Sequence, residues 1–236
     1  MTASEESPTD QQIVYLTGDN AAGKSTLGQY IVDTHSDWHC VDGDRLVEND
    51  PALNELIVSV SKPTIDLLRG PFGDENLIET VKSHDAGVRT TWEPFFRVLF
   101  ERLKQMKERK IVFVYHVWRQ WVVDLFREYF PMSMFVELQV TRSLLLDRYV
   151  ERMKEKGCDF EAVWRDAKMP NPLAMLREKY GPEYKGNEEH FKKYVEWRYI
   201  FYREPWWEEA QNNAYVINND TFGGARDLEK ILKLTP

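Results

Sequence analysis

The clearest chemistry in this chain lies near its start, in Gly18-Asp19-Asn20-Ala21-Ala22-Gly23-Lys24-Ser25-Thr26. The spacing is G-x-x-x-x-G-K-[ST], in which glycines let the backbone turn its N–H groups inward around a phosphate. The lysine is a compact cation for the outer phosphates, and the hydroxyl after it is a ligand for Mg²⁺. On this reading the whole run from Gly18 to Thr26 binds the phosphates of a nucleotide, Lys24 is the phosphate clamp and Ser25 belongs to the metal shell. The flanks agree. Residues 13–17 form a short apolar, β-rich run, and 26–32 have helical spacing with Leu27, Tyr30 and Ile31 on one face. Strand, turn and helix in that order aim a helix N-terminus at an anion.

A second group follows in Val41-Asp42-Gly43-Asp44-Arg45. If this stretch is extended, Asp42 and Asp44 point to the same side, since side chains alternate along a strand. Two carboxylates beside a phosphate loop suit two tasks, holding Mg²⁺ through water and accepting a proton from an attacking hydroxyl. The plainer alternative is a polar Asp-Gly turn with solvated carboxylates. Arg45, Arg69 and Arg89 are candidates for holding an anionic acceptor, because a guanidinium pairs bidentately with carboxylate or phosphate. Surface ion pairing is the competing role for each. His116 either faces the acceptor or caps a strand end, and it is assigned no catalytic role.

The elements that must position these residues are five short apolar runs at 13–17, 38–42, 111–116, 135–140 and 215–218, with helical patterns between them. Such alternation indicates a parallel sheet covered on both faces, with ligands bound beyond the carboxyl ends of the strands. Two connections exceed simple crossovers. Residues 45–110 carry helical patterns at 52–61 and 94–107, separated by Gly70-Pro71-Phe72-Gly73. Residues 141–213 carry a strong helix at 143–156, breaks at Pro170-Asn171-Pro172 and Gly181-Pro182, and a charged aromatic helix at 188–203. The aromatic residues there, Phe191, Tyr194, Trp197, Phe201 and Tyr202, exceed one narrow helical face. They supply either packing surface for the insertion or a wall for a planar group. A closing helix is expected at 227–232.

Composition bounds the rest. The chain is 42% hydrophobic and 30% charged, which is globular, and no apolar run approaches the ~20 residues of a membrane span. A net charge of −8 counts against broad nucleic-acid binding but leaves room for a local basic pocket. Two cysteines, Cys40 and Cys158, make no disulfide framework or zinc site, so a reducing, cytoplasmic setting is expected. Residues 1–10 read as a flexible polar tail without leader features, and 11–236 as one domain, monomeric or homodimeric.

The phosphate loop on the first strand and Asp42-Gly43-Asp44 after the second resemble the small-molecule kinases of the gluconate, shikimate and adenylylsulfate kinase group. Val117-Trp118-Arg119-Gln120 leading into Asp124-Leu125-Phe126-Arg127 is similar to the gluconate kinase turn after the third strand. Leu146-Asp147-Arg148-Tyr149-Val150-Glu151-Arg152 resembles the helix leading into the lid of these kinases. The resemblance covers about 18–45 and 111–156, and 214–235 by pattern alone. It implies an α/β, three-layer P-loop NTPase fold: a five-stranded parallel sheet in the order 2-3-1-4-5, an acceptor-binding insertion at about 45–110 and a helical lid insertion at about 141–213.

The same resemblance implies ATP and Mg²⁺, with Asp42 on the magnesium side and Asp44 contacting and deprotonating the acceptor hydroxyl. Arg148 and Arg152 share a helix face and would bring positive charge to the transferring phosphoryl group, unless they pair with Asp147, Glu151 or Glu155. The chain departs from the group at Ala21, where gluconate kinases usually carry glycine, and across 46–92, where their acceptor pattern is missing. The expected activity is phosphoryl transfer from ATP to a hydroxyl of a small, anionic, sugar-acid-like metabolite. A nucleoside or nucleotide kinase and a nucleotide-gated regulatory protein are the alternatives.

Overall fold

Strands buried on both faces must be apolar at successive positions, and β1 (Gln12–Gly18) meets that demand with a buried run from Ile13 to Gly18. It lies at the centre of a five-stranded sheet of order β2-β3-β1-β4-β5. The other strands are β2 (His39–Asp42), β3 (Lys110–Val114), β4 (Met134–Gln139) and β5 (Tyr215–Asn218). Every pairing is parallel, with Leu16 opposite Val114 on one side and Val136 on the other. The computed structural model describes residues 11–67, 85–116, 119–155, 214–221 and 223–234.

The helices over these residues are α1 (Lys24–Thr34), α2 (Gly43–Asn49), α3 (Pro51–Leu67), α4 (Asp85–Lys104), α5 (Gln120–Tyr129), α6 (Arg142–Glu155) and α7 (Gly224–Leu232). They divide between the two faces as strand alternation dictates. Tyr15, Phe113 and Phe135 point to the face covered by α2 to α5, where Leu53, Phe100, Trp121 and Phe126 pack against them. Val14, Leu16, Val112, Val136 and Ile217 point to the other, against Leu27 and Ile31 of α1, Leu145 of α6, and Leu228 and Leu232 of α7. The result is three layers. The first face is strongly aromatic: the Tyr15 ring meets Phe113, Phe126 and Phe135 at centroid distances of 5.0, 4.7 and 5.0 Å.

Two helices differ from the sequence expectation. The sequence pattern predicts a helix over 94–107. Instead α4 begins at Asp85 and carries Pro94 in its interior. The Thr90 and Thr91 hydroxyls bond back to the carbonyls of Ala86 and Gly87, at 2.9 and 2.8 Å, in the turn before the proline. The second difference is α2, which periodicity did not reveal. Its cues are capping residues. Asp42 caps α2, and Asp50 caps α3 by accepting from the N–H groups of Ala52 and Leu53 at 2.9 and 3.2 Å. Pro51 then occupies the first turn of α3, where its missing N–H costs nothing. Arg102 of α4 reaches the other Asp50 oxygen at 2.7 Å and ties α4 to this junction.

Among the described residues no helix is long and apolar enough to cross a membrane. The aromatic stretch 157–210, the helix expected at 188–203, the break at 70–73 and Cys158 lie outside the described residues.

Candidate phosphate-binding site

The loop between β1 and α1 turns through three backbone positions of positive φ. They are Gly18 at 145°, Ala21 at 67° and Gly23 at 95°. A Cβ on Gly18 would sit 2.6 Å from the Leu138 carbonyl oxygen, so β4 leaves no room for a side chain there. The Lys24 ammonium folds back over the loop and donates to the carbonyls of Gly18 and Asp19, at 2.8 and 2.9 Å. His116, just past β3, places Nδ1 2.8 Å from the same Gly18 oxygen. A carbonyl can only accept, so Nδ1 carries the proton. His116 therefore braces the loop, in keeping with its reading as a strand-end cap.

Ala21 is the loop position where the sequence departs from glycine, and its φ of 67° puts an alanine in the left-handed region. That costs about 1–2 kcal/mol, whereas glycine there costs about 0.4–1 kcal/mol through the freer unfolded chain. The first effect wins narrowly. Ala21→Gly is expected to leave stability unchanged or raise it by up to about 1.5 kcal/mol in urea unfolding, unlike an ordinary alanine-to-glycine change. A loss of more than about 1 kcal/mol contradicts the strained assignment.

The carboxylate pair sits across from Ser25. Asp42 ends β2, and its Oδ1 accepts from the N–H groups of Asp44 and Arg45 at 3.0 and 3.3 Å. Its Oδ2 accepts from the Ser25 hydroxyl at 3.3 Å. The expectation of an extended Asp42-Gly43-Asp44 stretch is corrected here. Asp42 is a helix cap, and Asp44 lies in the first turn of α2. Capping won over alternation because the Asp42 oxygen satisfies two orphan N–H groups at once. Gly43 is required by packing, since a Cβ would fall 2.4 Å from a ring carbon of Tyr115. Asp44 is exposed, yet its carboxyl is held above the ordinary carboxylate range. Desolvation is the larger cause and the Asp42 charge the next, while Lys24 and Arg152 pull the other way. Burial also raises the Tyr115 phenol, with a further push from Asp44.

Helix α6 forms the opposite wall. Arg148, Arg152, Glu151 and Glu155 line a cavity of about 470 Å³ together with Ala21, Gly23, Lys24, Ser25 and Thr26. The structure thus brings Arg148 and Arg152 to the phosphate loop, as one helix face. The two arginines differ in direction. Arg148 donates to the main-chain carbonyl of Asp220, past β5, while Arg152 acts electrostatically on Asp44. Asp220 in turn accepts from the Thr141 N–H at 2.7 Å. Asn219, which the sequence reading left without a role, is 3% exposed and donates to the Ala22 carbonyl at 2.8 Å. No spacing rule signals such a residue, because its partner is 197 positions away.

The acceptor-side arginines are not gathered in the same way. Arg45 is exposed on α2. Arg89 is 55% exposed and lies 3.0 Å from Glu93 of the same helix, which also takes Arg97. Arg69 is outside the described residues. The Cys40 thiol in β2 is pushed up to about 11, first by burial and then by Asp42. It is no nucleophile at neutral pH.

Among the described residues no cluster of three or more histidine, cysteine or carboxylate groups forms a metal cage. Ser25 and Asp42 instead bring two hard oxygen donors together at the mouth of the loop. This set fits a cation such as Mg²⁺, which keeps several waters and takes further ligands from phosphate.

No protein-family model and no curated protein matches the chain. Solved structures do match along nearly its whole length. Shikimate kinase from Bacteroides thetaiotaomicron is 16% identical, with 94% of this chain and 99% of that one covered and a TM-score of 0.49. A gluconokinase from Sinorhizobium meliloti 1021 is 18% identical, with 95% and 97% covered and a TM-score of 0.44. Shikimate kinase from Acinetobacter baumannii in complex with shikimate is 17% identical, with 95% and 93% covered and a TM-score of 0.41. The fold assignment rests on the strand order and layers described above.

Proposed function

We propose that this chain is an ATP-dependent kinase that transfers the γ-phosphoryl group to a hydroxyl of a small, anionic, sugar-acid-like metabolite. The observation that carries the reading is the convergence of three elements on one cleft. The Lys24 loop, the Asp42/Asp44 pair and the Arg148/Arg152 face approach from β1, β2 and α6. In-line phosphoryl transfer needs little covalent chemistry from the protein and much positioning and charge. Lys24 is the cation for the β- and γ-phosphates. Ser25 and Asp42 would hold Mg²⁺, which when bound neutralises charge on the phosphate oxygens.

Asp44 is the group proposed to take the proton of the attacking hydroxyl, since its raised pKa makes it a better base than an ordinary solvated aspartate. Arg152 adds charge where the phosphoryl group crosses toward Asp44. Arg148, tethered past β5, belongs to the nucleotide side of the cleft. Arg45, Arg69 and Arg89 remain the proposed holders of the acceptor's anionic group.

The test measures ADP release against a panel of sugar acids, neutral sugars, nucleosides and nucleotides, with ATP and Mg²⁺ present. Turnover raised at least tenfold by a sugar acid supports the reading. A response confined to nucleosides or nucleotides transfers the acceptor assignment to them. Slow hydrolysis indifferent to every acceptor, with a protein partner retained on purification, overturns the kinase reading in favour of a nucleotide-gated regulator.

A further inference from the structure

The loop between β5 and α7 touches the phosphate loop from behind, and the contact is made by one buried side chain. Asn219 Nδ2 donates to the Ala22 carbonyl at 2.8 Å, while Asn219 Oδ1 accepts from the Gly224 N–H at 3.3 Å. Its own N–H is tied to the Gln139 carbonyl at 2.8 Å. Both ends of the amide are thus used and its orientation is fixed.

The Ala22 carbonyl and the Gly23 N–H belong to one trans peptide plane and point in opposite directions. A carbonyl drawn back onto Asn219 therefore turns the Gly23 N–H the other way, toward the cavity that Gly23 lines. This peptide is also one that could rotate easily. Turning it changes ψ of Ala22 and φ of Gly23, and glycine, here at φ 95°, accepts either sign of φ. Ala22 itself is fully buried, and its N–H is held by the Asp19 carbonyl at 3.1 Å.

We propose that Asn219 is a positioning residue that locks the 22–23 peptide, so that the Gly23 N–H faces the nucleotide's β-phosphate. The inference rests on the nucleotide-binding reading above and extends it to a residue outside the G-x-x-x-x-G-K-[ST] motif. Asn219 acts through Ala22 and Gly23. Its effect is therefore specific to ligands that carry a β-phosphate.

Asn219→Asp keeps the acceptor for Gly224 and replaces the donor with a second oxygen that repels the Ala22 carbonyl. The experiment titrates the full-length chain with Mg·ADP and with AMP and follows thermal unfolding of the same samples. ADP affinity is expected to fall by about 10- to 100-fold, the scale of a lost charge-assisted hydrogen bond, with AMP affinity within about threefold of wild type. Gly224→Ala gives a second perturbation, because its Cβ would come within 3.0 Å of Asn219 Oδ1. It is expected to lower the ADP-to-AMP affinity ratio in the same direction. An unchanged ratio in both variants overturns the inference. So does an equal loss of ADP and AMP binding in step with a lower Tm, which marks a purely structural residue. A wild-type chain that binds no ADP overturns the nucleotide reading itself, and this inference with it.

Discussion

Lys24→Met is expected to lower kcat/KM for phosphoryl transfer by about a thousandfold or more, with the fold intact. The scale follows from what is removed, a fixed positive charge aimed at the point where negative charge develops on the transferring group. Methionine fills similar space and carries no charge. The cost to the empty loop is small. Lys24 leaves behind two carbonyls, but that of Gly18 retains its bond from His116 and that of Asp19 retains the Ala22 N–H. Unfolding and activity should therefore separate. Thermal unfolding should change little, Mg·ADP binding should weaken by about tenfold, and turnover should fall much further. A variant within tenfold of wild-type kcat/KM shows that Lys24 is not the phosphate clamp.

This loop was legible because its chemistry is local. Gly18, Gly23, Lys24 and Ser25 lie within one short stretch of sequence, and the buried strand before them announces itself by composition. The parallel sheet follows from a different rule, the need to bury both faces, whereas its order, β2-β3-β1-β4-β5, was implied by the family resemblance alone. What sequence reading lost are the parts decided at a distance. Asn219 meets Ala22 only because β5 lies beside β4 and β4 beside β1. Helix α2 is short, and its hydrophobic pattern is weaker than the cap at Asp42 that starts it. The pattern put a helix at 94–107, yet α4 begins at Asp85 and runs through Pro94, with Trp92, Phe95 and Phe96 packed together around it.

The cleft itself was half legible. The spacing of Arg148 and Arg152 placed them on one face, but only the fold distinguishes the one tied to Asp220 from the one acting on Asp44. Arg45 and Arg89 show the reverse. Their residue type suggested anion binding, and because the sequence pattern began this helix at 94, the four-residue spacing of Arg89 and Glu93 was not read as a pair on one helix face.

Asp44→Asn is expected to cut kcat by about 10²- to 10⁴-fold while leaving Mg·ADP affinity within about threefold, because it removes a base and keeps the shape. The stability effect should have the opposite sign. Asp44 has a folded-state pKa above its ordinary value, so the folded chain holds this proton more tightly than the unfolded one. Below the ordinary carboxylate pKa of about 4, both states are protonated and the group contributes nothing. As pH rises through the ordinary value toward the raised one, ionising the partly desolvated Asp44 against Asp42 and Glu48 costs stability, and that cost persists at neutral pH. Asparagine removes it. The variant should therefore melt higher than wild type at pH 7, with the difference vanishing near pH 3. The same ionisation should appear in wild-type kcat/KM as an acid limb lying above the usual aspartate range. The limb should be absent from the residual activity of Asp44→Asn. Two results would remove Asp44 from the reaction: near-normal turnover by the variant, or an acid limb that survives the substitution. If the variant melts higher and the acid limb disappears with it, Asp44 costs its fold stability and serves the reaction, the pattern of a residue placed by chemistry rather than by packing.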